Sequence, residues 1–230
     1  MKYISVAVDG PAGSGKSTIT KMVAKDLGYN YVDTGAMYRG LTYDFLKNNL
    51  TELDEKKIEL LLSKVKFEVK FIDRVQYVFV NGEDISEKIR TAEVSKFTSL
   101  FAKSPAVREF LIDTQRNLAM SNNIIMDGRD IASVVLPNAD VKIFLTASVE
   151  ERARRRVLDF ERQGVVDIDF DKVKADIAAR DYQDENRDIA PLVKVDDAVL
   201  IDTTNLTITE VVEKMTELIK KAEGQGEKNV

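Results

Sequence analysis

The sequence predicts an α/β fold: a five-stranded parallel sheet flanked by helices and interrupted by one small antiparallel sheet. Three observations carry this. Short apolar runs rich in β-branched residues recur along the chain, three of them closing at Asp-Gly or Asp-x-Gly. Segments of helical period lie between them, so successive strands need crossovers and run parallel. One stretch alternates apolar and charged residues strictly, which is the pattern of a sheet with one wet face.

The first run, Tyr3 to Val8, ends at Asp9-Gly10. A helix follows over Lys16 to Leu27, with Ile19, Met22, Val23 and Leu27 as its apolar face and Gly28 as its stop. Tyr29 to Val32 is the second strand, closed by Asp33-Thr34-Gly35, and a helix covers Met37 to Asn48. Val65 to Phe71 alternates with period two, Val75 to Val80 follows, and Asn81-Gly82 marks a hairpin. Ser104-Pro105 opens a helix reaching about Ser121, as a capping hydroxyl followed by Pro at the first helical position does. Asn123 to Met126 is the third strand and Val141 to Leu145 the fourth. Ser148-Val-Glu-Glu151 is a capping box for a helix that Gly164 closes, and Asp171 to about Tyr182 is helical before a charged loop. Ala198 to Ile201 is the fifth strand, Thr209 to Ala222 the last helix, and a frayed tail is expected after Gly224. The organisation predicted is a single domain over 1–230. Its core covers about 1–62, 98–150 and 190–223, with an inserted subdomain at about 63–97.

Composition removes several classes of function. The 230 residues carry 34 Lys+Arg against 39 Asp+Glu, a net −5, which argues against a nucleic-acid coat or a membrane-surface protein. No run approaches the ~18 apolar residues of a membrane span, and the first apolar run is too short for a signal-peptide core. A soluble, cytoplasmic protein is expected. With no Cys and no His, disulfides, thiolate nucleophiles and imidazole bases are excluded.

Gly10-Pro11-Ala12-Gly13-Ser14-Gly15-Lys16-Ser17, followed by Thr18, matches G-x-x-x-x-G-K-[ST] between a predicted strand and a predicted helix. Glycines let successive N–H groups turn inward around a phosphate, and the helix start adds its positive end. Lys16 can reach the β- and γ-phosphates, and the Ser17 hydroxyl can ligate Mg²⁺. With 11 Gly in 230 residues and the chain's own Lys and Ser+Thr content, roughly 0.005 such matches are expected by accident. The loop therefore predicts a nucleoside triphosphate. The Asp-x-x-Gly and Asn-Lys-x-Asp sensors of a GTPase are absent, which leaves a small kinase that brings an anionic acceptor to the γ-phosphate.

Five of the 13 arginines (Arg152, Arg154, Arg155, Arg156 and Arg162) fall within eleven residues with no Lys among them. Arg is the planar, bidentate phosphate binder. Arg152 and either Arg155 or Arg156 lie on one helix face, and a lid over about 151–170 that closes on the phosphates fits this pattern. The plain alternative is a solvated helix of Glu–Arg pairs, since Glu150, Glu151 and Glu161 are near.

Several segments in order resemble bacterial cytidylate kinases over essentially the whole chain. They are Asp9 to Ser17, Asp33 to Arg39, Asp127 to Asp130, Val141 to Leu145, Glu150 to Arg156 and Asn186 to Leu192. The resemblance implies phosphoryl transfer from ATP to CMP or dCMP with Mg²⁺, on a P-loop nucleoside monophosphate kinase fold, in a monomer. The inserted subdomain would then bind the acceptor. It places Thr34, Arg39, Ser99, Arg108, Arg129, Asp130, Arg180, Asp184 and Arg187 at positions that hold the acceptor, with Lys16, Arg129, Arg152 and Arg156 acting on the transferred group. Asp33 and Asp127 each end a strand near the loop; either could hold a Mg²⁺ water, and a purely structural role suits both equally. A kinase for uridylate, adenylate or a sugar, or a nucleotide-dependent switch without acceptor, are the competing readings.

Overall fold

A computed structural model describes residues 3–226. In chain order the elements are β1 (Ser5–Asp9), α1 (Lys16–Leu27), β2 (Asn30–Asp33), α2 (Thr34–Lys47), α3 (Glu55–Leu62), β3 (Phe67–Ile72), β4 (Val75–Val80), β5 (Glu83–Asp84), α4 (Ala92–Phe101) and α5 (Pro105–Ser121). Then come β6 (Ile124–Gly128), a π-helical turn (Ile131–Val135), β7 (Val141–Thr146), α6 (Val149–Arg162), α7 (Phe170–Glu185), β8 (Val199–Asp202) and α8 (Ile208–Gly226). Five strands form one sheet in the order β2-β6-β1-β7-β8, and β3-β4-β5 form another. Among the described residues no helix is long and apolar enough to cross a membrane. By internal contacts the chain divides into two units, one of residues 28–124 and one of residues 4–27 with 125 onward.

The unit of residues 4–27 and 125 onward is built on parallel pairing. β1 runs beside β7 from Val6↔Val141 to Asp9↔Phe144, and β7 beside β8 from Ile143↔Val199 to Thr146↔Asp202. Val6, Ala7 and Val8 are all buried, as a continuous apolar run covered on both faces must be. α1 turns Ile19, Thr20, Val23 and Ala24 inward and packs on α8, which answers with Val211, Met215 and Ile219 at four-residue spacing. Met22, expected on the inner face, is 42 % exposed: the buried stripe turns through Ala24 and Thr20 instead. The capping box at Ser148 is half made. Its hydroxyl accepts from Glu151 N, but its own N–H is taken by Thr204 Oγ1, and Glu151 is spent on Arg155. α8 continues past the expected end to Gly226, and residues 227–230 lie outside the described residues.

The unit of residues 28–124 holds the antiparallel sheet. Two tight turns build it. Asp73-Arg74 joins Ile72 to Val75, and Asn81-Gly82 joins Val80 to Glu83. All four turn residues have positive φ (50°, 66°, 52° and 82°), as two-residue hairpin turns that match strand twist require. Inward-facing Val78 and Val80 form a core with Ile85, Ile89 and Val94. α2 lies on this sheet through Gly40, where a Cβ would sit 2.9 Å from both Phe67 Cε2 and Val78 Cγ1. α2 begins three residues earlier than its periodicity suggests, because Asp33 caps it. α3 and α4, capped by Asp54 and Thr91, were not anticipated, since their apolar residues are interleaved with Lys, Glu, Ser and Thr.

Candidate active site

The Gly10–Ser17 loop joins β1 to α1, and its glycines adopt the conformations the motif calls for. Gly10, Gly13 and Gly15 have φ of +148°, +75° and +88°. At Gly10 a Cβ would sit 1.9 Å from the Leu145 carbonyl oxygen, so the loop passes over β7 only because no side chain is there. The loop curls around Lys16, whose Nζ donates to the carbonyls of Gly10 and Pro11 at 2.7 Å each and to Ser14 Oγ at 3.3 Å. Burial pulls the Lys16 pKa well below the usual lysine value, and the Arg129 charge pulls it further; Asp127, Asp9 and Asp184 act against both. Ser17 donates to Asp127 Oδ2 at 2.7 Å, which joins the start of α1 to the end of β6. Ser17 and its neighbour Thr18 are exposed.

β6 delivers a second group of residues beyond Asp127. Arg129 Nε donates to Asp184 Oδ2 of α7 at 2.7 Å. Asp130 precedes the π-helical turn without a side-chain cap bond to it, and it pairs with Arg187 at 3.4 Å. The turn is held from below by Asp9, whose carboxylate accepts from Ile131 N at 2.9 Å and Ala132 N at 2.7 Å. Burial raises the Asp9 pKa to about 6 despite those two hydrogen bonds.

The arginines of α6 do different things. Arg152 is 3 % exposed and fully engaged: it donates to Ala147 O, to Ala12 O of the glycine loop, and to both carboxylate oxygens of Asp181 at 2.9 and 2.6 Å. It also lies under Gly13, where a Cβ would come 3.3 Å from its own. Arg155 reaches Glu151 Oε1, Thr203 Oγ1 and Thr203 O. Arg154 pairs with Glu150, and Arg162 with Asp159. Arg156 is exposed and stacks its guanidinium 4.5 Å over the Phe160 ring. Arg180 is exposed on α7, next to buried Asp181.

The unit of residues 28–124 carries the remaining four. Thr34 and Arg39 lie on α2, Ser99 is exposed on α4, and Arg108 is buried on α5. Asp33 fixes the start of α2 and Arg39: Oδ1 caps Ala36 N and Oδ2 holds Arg39 Nη2 at 2.9 Å. Sequence reasoning left three organising residues out: Asp9, Asp181 and Gln76, the last of which binds the Asp33 backbone. Only Gln76 left a trace in the sequence, as a polar residue on the inward row Gln76-Val78-Val80 of β4.

A strand, a positive-φ glycine loop folded around one lysine, and a helix opening with Ser17 define a P-loop nucleotide-binding α/β protein. The cytidylate kinase family model matches residues 6–221. Cytidylate kinase of Caldicellulosiruptor bescii is 49% identical over 221 residues, covering 96% of this chain and 97% of that one. Cytidylate kinase of Alkaliphilus oremlandii is 48% identical over 220 residues, at 96% and 99%. The chain belongs to the cytidylate kinase family, and is thereby a nucleoside monophosphate kinase. Among solved structures, an uncharacterised protein from Eubacterium ventriosum aligns with TM-score 0.51 at 13% identity, over 96% of this chain and 99% of that one; this is a likeness of fold alone.

Proposed function

We propose that the chain transfers the γ-phosphoryl group of ATP to CMP and dCMP, giving ADP with CDP or dCDP, as a cytoplasmic monomer. The observation that carries this is the lysine-filled glycine loop in a chain of this family. In the transfer, an oxygen of the acceptor phosphate forms a bond to the γ-phosphorus as the bond to the β–γ bridging oxygen breaks, and that oxygen leaves on ADP. The acceptor is already anionic, so little proton chemistry is needed, and a chain without His or Cys can supply what remains: position and positive charge. Lys16 and the loop N–H groups take the β- and γ-phosphates. Arg152 acts through Ala12 O, fixing the loop from behind. The stretch 151–170 serves as the lid, with exposed Arg156 as its charge.

Ser17 and Asp127 present a hydroxyl and a carboxylate 2.7 Å apart, the hard oxygen donors that Mg²⁺ takes alongside phosphate oxygens. These two residues would hold it, and bound there it supplies charge neutralisation to the phosphates. Of the two carboxylates considered from sequence, Asp127 is the better choice, because Asp33 is spent on Ala36 N and Arg39.

For the acceptor, Arg39, Arg129 and Arg180 are assigned to the phosphate, Asp184 and Arg187 to the ribose side, and Ser99, Arg108 and Asp130 to the base end, with Thr34 as a further hydroxyl that hydrogen-bonds the acceptor. Cytosine offers an amine where uracil has a carbonyl, so a carboxylate at Asp130 accepts from one and opposes the other. Leaving a buried polar group unpaired costs a few kcal/mol, which corresponds to about a hundredfold in kcat/KM. ADP release measured with CMP, dCMP, UMP and AMP tests this: CMP and dCMP should stimulate it strongly, and UMP about a hundredfold less. Equal kcat/KM for CMP and UMP would sink the role of Asp130, and no stimulation by any acceptor would sink the transferase reading.

A further inference from the structure

We propose that Gln76, on the inserted antiparallel sheet, is a positioning residue for the acceptor site, acting through the backbone of Asp33. Gln76 occupies the inward row of β4 together with Val78 and Val80, where the sheet otherwise places apolar residues. Its amide there behaves like a piece of neighbouring strand. Oε1 accepts from Asp33 N at 2.7 Å, and Nε2 donates to Asp33 O at 3.2 Å. Both peptide groups of Asp33 are thereby fixed at the junction where β2 ends and α2 begins. The same residue then uses each side-chain oxygen for one purpose: Oδ1 caps α2 at Ala36 N, and Oδ2 holds the Arg39 guanidinium at 2.9 Å. Thr34 follows directly on the helix. A two-point clamp on Asp33 therefore sets the position of Arg39 and Thr34, and among the described residues no other side chain bonds both the N–H and the C=O of Asp33. The inserted sheet acts on the acceptor by holding the residue that holds the arginine. This inference rests on the assignment of Arg39 to the acceptor phosphate.

The clamp faces the acceptor side only, so its loss should separate the two substrates. Gln76→Met keeps the length and removes both bonds. It should raise KM for CMP about tenfold while KM for ATP stays within twofold, since two hydrogen bonds of ordinary net strength convert to about one order of magnitude. Gln76→Glu keeps an oxygen for the Asp33 N–H and removes the donor; it should raise KM for CMP by about threefold and serves if the methionine variant does not fold. A residue that merely supports the fold would lower the folded fraction, and so kcat, with both KM values unmoved. Unchanged KM for CMP in the folded variants, or an equal rise in both KM values, overturns the proposal. Arg39→Ala measured alongside separates the two failures: if it too leaves KM for CMP unchanged, the acceptor assignment of Arg39 falls, whereas a large rise there with none in the Gln76 variants removes the clamp alone.

Discussion

Asp9 shows how a single buried carboxylate can carry a pH dependence. It is 2 % exposed, with two backbone N–H donors from the π-helical turn, and its pKa still rises from 3.8 to about 6. Between those values the folded chain keeps a proton that the unfolded chain has released. The contribution of Asp9 to stability is therefore full below about pH 4 and is lost as pH rises through 6, amounting to about 3 kcal/mol. Asp9→Asn removes the titration at the cost of one hydrogen bond. Urea unfolding of both proteins should show the wild-type stability, relative to the variant, falling by about that amount between pH 4 and pH 7; a constant difference would refute the assignment. The glycine loop could be read from sequence because its logic is local: three glycines and one lysine within seven residues bring their own geometry. Asp9 and Gln76 could not, because their partners lie 122 and 43 residues away, and a lone Asp or Gln carries no periodic mark of its partner.

At the scale of elements, period and punctuation were enough where they agreed. α1, β4 and α5 have the expected bounds, because a stop glycine, a hairpin turn and a Ser-Pro start coincide with the apolar pattern. α3 and α4 were missed where a mixed composition hid a narrow buried stripe, Ile58 and Leu62 in one and Val94 and Phe101 in the other. Gly40 is the packing feature on α2 that sequence leaves unexplained, since a mid-helix glycine costs about 1 kcal/mol against alanine. The structure supplies the reason: a methyl there would stand 2.9 Å from buried Val78 and from the ring of Phe67, which packs against the same core. Overpacking of this kind costs about 1–3 kcal/mol and should outweigh the gain in helix propensity. Gly40→Ala should lower the unfolding free energy in urea by up to about 2 kcal/mol, the overpacking cost less the propensity gain, whereas Gly224→Ala, on α8 with open space around it, should lose nothing. Equal effects at the two sites would show that propensity, not contact, governs Gly40.

For the whole molecule, the question is how a protein of net charge −5 takes up two anionic nucleotides. Two fields compete. The net charge repels them from distances of about 20 Å, where five charges in water amount to about 1 kcal/mol before screening and far less at 0.1 M salt, whose Debye length is about 10 Å. An arginine in contact attracts a phosphate oxygen by about 4 kcal/mol at the dielectric of a protein surface. Part of that is already committed, because Arg39 and Arg129, two of the arginines proposed for the acceptor phosphate, have Asp33 and Asp184 as partners, and a phosphate bound there would have to compete with these carboxylates. The local term remains the larger of the two. Added salt therefore weakens binding, even though the molecule as a whole repels its ligand. Raising KCl from about 0.05 to 0.5 M at fixed Mg²⁺ should increase KM for CMP severalfold, because the screening length shrinks towards contact distance. A KM that fell with salt would mean that long-range repulsion sets the affinity, and the arginines would then have to be withdrawn as the groups that meet the acceptor phosphate.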